Sequence, residues 1–157
     1  MEHDVIIAGG SYAGLSAGLQ LARARQKVLV IDAGQRRNRF AATSHGFLGQ
    51  DGRAPGDIAS DARAQLMAYR TVEWLSDSAI HAARDADGFV VETAHGQRYR
   101  AKRLLLATGV IDELPDVPGL TERWGKVFFI ARTATAMNWS KGRLACWRRH
   151  RCRCTMP

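Results

Sequence analysis

The strongest constraint on the fold lies in the first 32 residues, where the glycine-rich segment Gly9–Gly14 joins two regular elements. Val5–Ala8 is a continuous apolar run of strand length, as in a strand buried on both faces of a parallel sheet. Leu15–Arg25 carries helix-forming residues with apolar side chains at helical spacing. Val28–Asp32 is a second buried run that ends in an acid. The order predicts a strand–helix–strand unit with a glycine turn at its first corner.

A glycine turn in this position allows the pyrophosphate of a dinucleotide to reach the free N–H groups at the start of a helix. Gly9 provides the tight turn, and Gly14 lets the helix pack closely on the strand. Ser11 replaces the usual middle glycine, and its hydroxyl can donate to a phosphate. Asp32 is placed to accept hydrogen bonds from ribose hydroxyls. The alternative is a glycine turn in an unrelated α/β domain.

The remaining pattern completes an α/β domain. Gly34–Arg53, rich in Gly, Arg and Asn, is predicted to be a loop, and Pro55–Arg70 a helix with one apolar side. Short strands are predicted at Thr71–Trp74, Ala79–Ala82, Gly88–Thr93, Arg98–Arg100 and Arg103–Ala107.

The net charge of +8 is concentrated at one end of the chain. Residues 131–157 contain seven Lys and Arg, no acid and all three cysteines, whereas the preceding residues are nearly neutral. The main body therefore has no disulfide framework and no cysteine metal site. The apolar run Val5–Ala8 is too short for a signal peptide or a membrane span. We expect a cytoplasmic protein that does not bind membranes.

Four segments carry a family resemblance, and over residues 1–125 the chain resembles the FAD domain of thioredoxin-reductase-like pyridine nucleotide-disulfide oxidoreductases. The segments are Gly9–Gly14 with Asp32, Gly34–Phe40, Ser44–Gly49, and Leu105–Gly109 followed by Leu114–Gly119. The resemblance implies a Rossmann-like three-layer α/β domain, with a parallel sheet, helices and a small β-meander. It also implies that this domain is incomplete here.

The resemblance implies a set of FAD contacts. The Ala-Thr-Gly strand end at Ala107–Gly109 lies against FAD in the family, and Asn38 and His45 fall at its polar contacts to the flavin side. Ile80 falls where backbone groups meet the adenine. The predicted FAD-binding residues are Gly9, Ser11, Tyr12, Ala13, Gly14, Asp32, Ala33, Asn38, His45, Ile80, Ala107, Thr108 and Gly109. No catalytic residue and no metal ligand is predicted.

The intact family implies further partners. NADPH passes hydride to FAD, and electrons then pass to a cysteine pair and a disulfide substrate such as thioredoxin. The family is commonly homodimeric. The NADPH domain, the cysteine pair and the returning part of the FAD domain are missing from this sequence. We therefore expect weak or absent FAD binding and no disulfide reductase activity.

The resemblance ends near Gly125. The family continues there with Cys-x-x-Cys, whereas Lys126–Trp139 contains no cysteine. Codons for Lys126–Trp139, read one base earlier, permit Ser-Val-Phe-His-Cys-Pro-Tyr-Cys-His-Gly-Tyr-Glu-Leu. Two bases of each shifted codon are fixed by the written residues, so chance agreement over the whole run is improbable. We predict a frameshift near Gly125 and an aberrant, disordered basic tail over residues 126–157.

Other interpretations stay open at this stage. The chain could be a different FAD-dependent oxidoreductase, such as a monooxygenase, that shares only the first strand–helix–strand unit. It could instead bind nucleic acid or acidic surfaces through residues 141–153, although we consider nucleic acid an improbable partner. Arg36, Arg37 and Arg39 could meet phosphate or be solvated. No carboxylate lies at a sequence spacing that would predict a catalytic pair with His45. A cofactor contact or an ordinary loop position is therefore favoured over catalysis.

Overall fold

A computed structural model describes residues 3–124, which form one mixed sheet with helices. The elements in chain order are β1 (His3–Ala8), α1 (Tyr12–Arg23), β2 (Val28–Ile31), α2 (Pro55–Met67), β3 (Val72–Leu75), β4 (Ala79–Arg84), β5 (Phe89–Thr93), β6 (Arg98–Leu106) and α3 (Leu120–Arg123). The strand order is β3-β2-β1-β6-β5-β4. The predicted tail, residues 126–157, lies outside the described residues.

The sheet has a parallel half and an antiparallel half. β1 pairs in parallel with β2 and β6, and β2 pairs in parallel with β3. β4, β5 and β6 form an antiparallel meander. This arrangement confirms the predicted Rossmann-like α/β fold with a small meander.

The prediction of two separate strands at Arg98–Arg100 and Arg103–Ala107 was wrong, because β6 runs without a break over Arg98–Leu106. Its first part pairs with β5 and its last part with β1. Ala101 pairs with Phe89 on one side and His3 on the other, and it is fully buried at this junction. The charged Lys102 and Arg103 follow this junction within the same strand and are exposed.

Helices cover one face of the parallel strands. Val5, Ile7, Val28 and Val30 point to this face, where they pack against side chains of α1 and α2 that include Leu15 and Leu66. Leu66 is fully buried, and its Cδ2 atom lies 3.0 Å from the place where a Cβ on Gly18 of α1 would be. The two helices can approach this closely because Gly18 has no side chain.

The meander covers the other face. Ile6, Leu29 and Ile31 point to this side and pack with Val91 of β5 and Ala101 of β6. The alternation along β1 and β2 thus sends successive apolar side chains to two different cores, as expected for strands buried on both faces. The result is a three-layer domain of helices, sheet and meander.

A buried carboxylate fixes the meander to the parallel half. Asp77, in the β3–β4 connection, has a side chain that is only 3% exposed. The Thr93 hydroxyl lies near it, the His95 Nδ1 atom lies 2.9 Å from it, and the backbone N–H of Ser78 donates to it at 2.7 Å. The Thr93 hydroxyl, the His95 ring and the backbone N–H groups of Ser78 and His95 lower the pKa of Asp77 to about 2. Thr93 Oγ1 makes no hydrogen bond of good geometry, so the N–H donors are the firmer cause.

This carboxylate predicts acid sensitivity. The pKa of Asp in an unfolded chain is about 3.9. The stabilisation from Asp77 is therefore nearly complete above about pH 4 and is lost as the pH falls towards about 2. We expect Asp77→Asn to flatten the fall in the free energy of unfolding over this range, measured by urea denaturation at several pH values. Parallel curves for the variant and the wild type would show that Asp77 does not carry this dependence.

Candidate functional site

The carboxyl ends of four parallel strands, β1, β2, β3 and β6, meet at one edge of the sheet and bring the predicted cofactor segments together. The N–H of Gly9 donates to the Ile31 carbonyl at 2.8 Å, and the N–H of Ala107 donates to the Ala8 carbonyl at 2.8 Å. The N–H of Asp32 donates to the Leu75 carbonyl of β3 at 2.9 Å. Residues far apart in sequence therefore share this edge, where open α/β sheets bind ligands.

Two glycines of the turn occupy places where no side chain fits. Gly9 has a φ of +105°, and a Cβ on it would overlap the carbonyl oxygen of Ala107. A Cβ on Gly14 would overlap the carbonyl oxygen of Gly9 and lie 3.3 Å from Cγ2 of Ile7. Gly14 thus allows α1 to pack directly on the turn, which agrees with its predicted role.

The first turn of α1 presents free backbone donors. Ser11 is the N-cap, but its side chain makes no capping hydrogen bond, and the first turn contains no acid. The Ser11 carbonyl accepts from the N–H of Leu15 at 2.8 Å. Within residues 3–124, the N–H groups of Ser11, Tyr12 and Ala13 have no acceptor. Free N–H groups at a helix N-terminus bind anions such as phosphate.

Asp32 stands beside this helix end with one carboxylate oxygen engaged. Its Oδ1 atom accepts from the N–H of Gly10 at 2.9 Å, and within the described part of the chain its Oδ2 atom accepts no hydrogen bond. Ala33 follows at an exposed position. The carboxylate is therefore oriented by the turn itself, with one oxygen left for a ligand hydroxyl.

A polar chain connects the loop after β2 to the two helices. Asn38 Nδ2 donates to the Tyr12 hydroxyl at 3.1 Å, and that hydroxyl donates to the Pro55 carbonyl at 3.0 Å. The ring of Phe47 meets Tyr12 edge-on, with centroids 6.1 Å apart. The Oδ1 atom of Asn38 is buried and has no hydrogen-bond partner within the described range. A buried acceptor without a donor is costly, so this atom favours a ligand donor.

Comparison with known proteins identifies the relatives of this site. The sequence profile of the pyridine nucleotide-disulphide oxidoreductase family matches residues 3–147. The chain belongs to this family. It is 40% identical over 126 residues to the thioredoxin reductase tcpT of Claviceps purpurea, an alignment covering 78% of this chain and 39% of tcpT.

Solved structures agree. An oxidoreductase from Agrobacterium tumefaciens is 57% identical, with a TM-score of 0.76, over 80% of this chain and 43% of that one. HlmI is 39% identical, with a TM-score of 0.75, over 79% of this chain and 40% of HlmI. The chain therefore spans about two-fifths of the length of these relatives. Its described part is thioredoxin-reductase-like.

The residues present fit the FAD that the family implies. The free N–H groups of α1 suit a pyrophosphate, Asp32 Oδ2 suits a ribose hydroxyl, and the orphaned Oδ1 of Asn38 suits a donor on the ligand. Thr108 and Gly109 follow Ala107 on the same edge, and both are exposed. Gly109 has a φ of +70°, which turns the chain away from β6.

His45 has a carboxylate neighbour that the sequence reading missed. Its Nδ1 atom lies 3.4 Å from Asp51 Oδ2, and its Nε2 atom lies 3.2 Å from the Thr43 hydroxyl. A hydrogen bond from the Gly46 N–H, with a second contribution from His45, holds the pKa of Asp51 below its ordinary value. The loop folds back on itself between residues 44 and 53, which brings together two residues six positions apart. The FAD contact of His45 stays a prediction.

Ile80 is set apart from these residues in the strand order. It lies on β4, which β5 and β6 separate from β1, at an irregularity in the pairing of β4 with β5. Its side chain is 63% exposed. The adenine contact of Ile80 stays a prediction.

The three arginines of the loop have different neighbours. Arg37 donates to both carboxylate oxygens of Asp112, at 3.0 and 2.7 Å, and this pairing lowers the pKa of Asp112. Arg39 donates to the Arg36 carbonyl and lies 4.3 Å from the centre of the Phe40 ring. Arg36 is half-buried, and its Nε atom has no partner within residues 3–124. Arg36 is thus the arginine of this loop with capacity for a phosphate.

The pair between Arg37 and Asp112 fastens the loop to the segment after β6. We expect Arg37→Ala to change the free energy of unfolding by less than about 1 kcal/mol, because the pair is partly exposed. Chymotrypsin should nevertheless cleave faster after Phe40 or Phe47, in the loop. Arg98→Ala removes an exposed pair with Glu92 in the hairpin and is the matched control. Unchanged cleavage in Arg37→Ala would show that the pair does not hold the loop.

Sequence reasoning missed two further long-range contacts of the candidate site. Trp74 reaches Gly10 from β3, and Asp112 reaches Arg37 from the segment after β6. Both contacts span long sequence separations, and no local motif signals them. Over residues 3–124, no cluster of three His, Cys, Asp or Glu side chains could hold a metal ion. The same part of the chain contains no helix suited to crossing a membrane.

Proposed function

We propose that residues 3–124 are the FAD-binding part of a thioredoxin-reductase-like oxidoreductase and that they hold the ADP half of FAD. The observation that carries this proposal is the combination of free N–H groups at the start of α1 with Asp32 beside them. In this arrangement Ser11, Tyr12 and Ala13 bind the pyrophosphate through backbone N–H groups. Asp32 orients the adenosine ribose, and Asn38 contacts the flavin side.

The activity of the whole enzyme follows from the family. FAD, when bound, supplies a carrier that takes hydride from NADPH and passes electrons to a cysteine pair, which reduces a disulfide such as that of thioredoxin. The described residues would bind this carrier through the free N–H groups of α1 and orient it through Asp32 and Asn38. Homodimer formation and a cytoplasmic location belong to the same proposal.

An open sheet edge supports the proposal that further chain completes the site. From Arg103 to Leu106, β6 pairs with β1 on one side, and no strand among the described residues pairs with its other edge. Leu106, Val110 and Ile111, at this end of β6, are 71%, 62% and 94% exposed. The aligned part of this chain covers only 39% of tcpT and 43% of the Agrobacterium oxidoreductase, so these relatives have the further polypeptide needed to cover such a surface.

The shifted reading frame offers a source for that further polypeptide. We propose that the frame changes near Gly125, so that Cys-Pro-Tyr-Cys is encoded but not expressed in this chain. Sequencing the gene from the Gly125 codon through several hundred bases past the stop tests this. We expect the neighbouring frame to encode the cysteine pair, a second glycine fingerprint and a late Gly-Asp motif. Early stop codons in that frame would contradict the frameshift.

The same proposal predicts that this chain does not turn over. No cysteine stands at the family position after Gly125, so we expect no NADPH-dependent formation of dithiols from a disulfide by the purified 157-residue protein. A thiol-reactive dye assay measures this, with a full-length relative as the positive control. Turnover that persists after gel filtration would contradict the assignment of an inactive chain.

Ligand binding tests the site itself. We expect ADP to bind weakly, with a Kd in the range of about 0.1–1 mM, because the first βαβ unit supplies only part of the FAD contacts. Asp32→Asn should weaken ADP binding about tenfold, since it removes a charged acceptor for the ribose hydroxyls. Asp57→Asn, at the start of α2, is the matched control. Equal affinities of the wild type and Asp32→Asn would contradict the role of Asp32.

A further inference from the structure

A tryptophan from the edge strand packs against the glycine turn. Trp74 of β3 lies opposite Val30 of β2, and its six-membered ring reaches Gly10. A Cβ on Gly10 would overlap Cη2 of Trp74 and would lie 2.8 Å from Cβ of Asp32. The indole edge, the Gly10 backbone and the base of the Asp32 side chain therefore meet at one point.

A second residue holds this ring in place. The guanidinium of Arg63, on α2, lies over the Trp74 ring, 4.2 Å from the ring centre. Such stacking orients an indole. The ring is partly buried and packs against the core on the helix face of the sheet. Trp74 thus links the edge strand and α2 to the turn that precedes α1.

The link bears on ribose recognition. Asp32 Oδ1 accepts from the Gly10 N–H, and this bond sets the rotation of the carboxylate and hence the direction of Oδ2. The bond forms only while the Gly10 peptide keeps its orientation, and the side of Gly10 that a Cβ would occupy is filled by the Trp74 ring. We propose that Trp74 is a positioning residue for ribose recognition: it fixes the Gly10 peptide, which fixes Asp32 for the ribose hydroxyls. This inference rests on the proposed binding of ADP and FAD.

The discriminating readout is the ratio of two affinities, for ADP and for 2′,3′-dideoxy-ADP. The two ligands share the adenine and the phosphates and differ only in the ribose hydroxyls. A residue that positions Asp32 changes this ratio, whereas a residue that only supports the fold weakens both ligands equally. Asp32→Asn is the reference variant: it gives the affinity ratio expected when the carboxylate is lost.

The experiment measures both Kd values by calorimetry on the full 157-residue chain. Phe lacks the Cη2 and Cζ2 atoms of the indole that reach Gly10. We therefore expect Trp74→Phe to weaken ADP about fivefold and dideoxy-ADP less than about twofold. Arg63→Gln leaves the ring in place but unclamped, and it should move the ratio in the same direction by a smaller factor. Tyr99→Phe, which removes only an exposed hydrogen bond to Gln97 in the meander, is the control and should leave the ratio unchanged.

The outcomes separate the two proposals. A wild-type chain that binds neither ligand overturns the proposed function and this inference with it. If the affinity ratio is lower than in the wild type for Asp32→Asn, but equal to the wild type for both Trp74→Phe and Arg63→Gln, the role of Trp74 alone is overturned. Equal weakening of both ligands in these variants assigns Trp74 a purely structural role and also overturns the inference. If Trp74→Phe fails to fold, Arg63→Gln decides.

Discussion

Gly14→Ala lowers the free energy of unfolding by at least about 3 kcal/mol and abolishes ADP binding. The new methyl group would overlap the carbonyl oxygen of Gly9 and crowd Ile7. Neither the backbone oxygen nor the buried Ile7 side chain can yield without displacing α1 from β1, and overpacking of this kind is strongly destabilising. Since α1 carries the proposed phosphate site, its displacement also moves the free N–H groups away from the ligand. Urea denaturation and calorimetry with ADP measure the two effects.

Gly56→Ala is the matched control for that substitution. Gly56 also lies in a helix. Among residues 3–124, the one atom near its Cβ position is at the end of the Arg36 side chain, 3.5 Å away, which is an ordinary contact. The substitution should raise the free energy of unfolding by about 0.5 kcal/mol, because alanine loses less backbone entropy in a helix than glycine. If Gly14→Ala were as well tolerated as Gly56→Ala, the close packing of α1 on the turn would be wrong.

Leu66→Ala lowers the free energy of unfolding by about 3 kcal/mol. Leu66 of α2 is fully buried against Gly18 of α1 and the β-sheet. Its truncation leaves a cavity that the rigid strands cannot close. A small domain has a total stability of only about 5–15 kcal/mol, so a large share of it is lost.

Equilibrium urea unfolding followed by circular dichroism measures the effect of Leu66→Ala. Met67→Ala is the matched control, because Met67 is the next residue on α2 and its side chain is 42% exposed. Its cost should stay below about 1 kcal/mol. A similar loss for both variants would show that α2 does not dock on the sheet through Leu66.

The first βαβ unit was predictable because each of its signals is local. The apolar runs of β1 and β2, the glycines between them and Asp32 lie within about 30 residues, and the structure confirms these elements and the loop over residues 34–53. The helix predicted over Pro55–Arg70 ends at Met67, since the N–H of Tyr69 bonds back to the Leu66 carbonyl in a turn. Helix ends depend on such single bonds, which sequence patterns do not reveal.

The long-range parts of the site could not be predicted. β6 is one strand because two different partners, β5 and β1, take over its pairing on either side of Ala101. The pairs of Asp51 with His45 and of Asp112 with Arg37 depend on loop closure. Trp74 reaches Gly10 only because β3 lies next to β2 in the sheet. Each of these contacts is set by tertiary packing.

The most direct test of the central claim is to locate ADP on the chain by ¹⁵N–¹H NMR titration. If the start of α1 binds the pyrophosphate, the largest shift changes will fall on the amides of residues 9–14 and on Asp32, and they will be much reduced in Asp32→Asn. Shift changes confined to the basic segment 141–153 and lost at raised salt would contradict the claim. They would show that nucleotide binding is a property of the charged end of the chain.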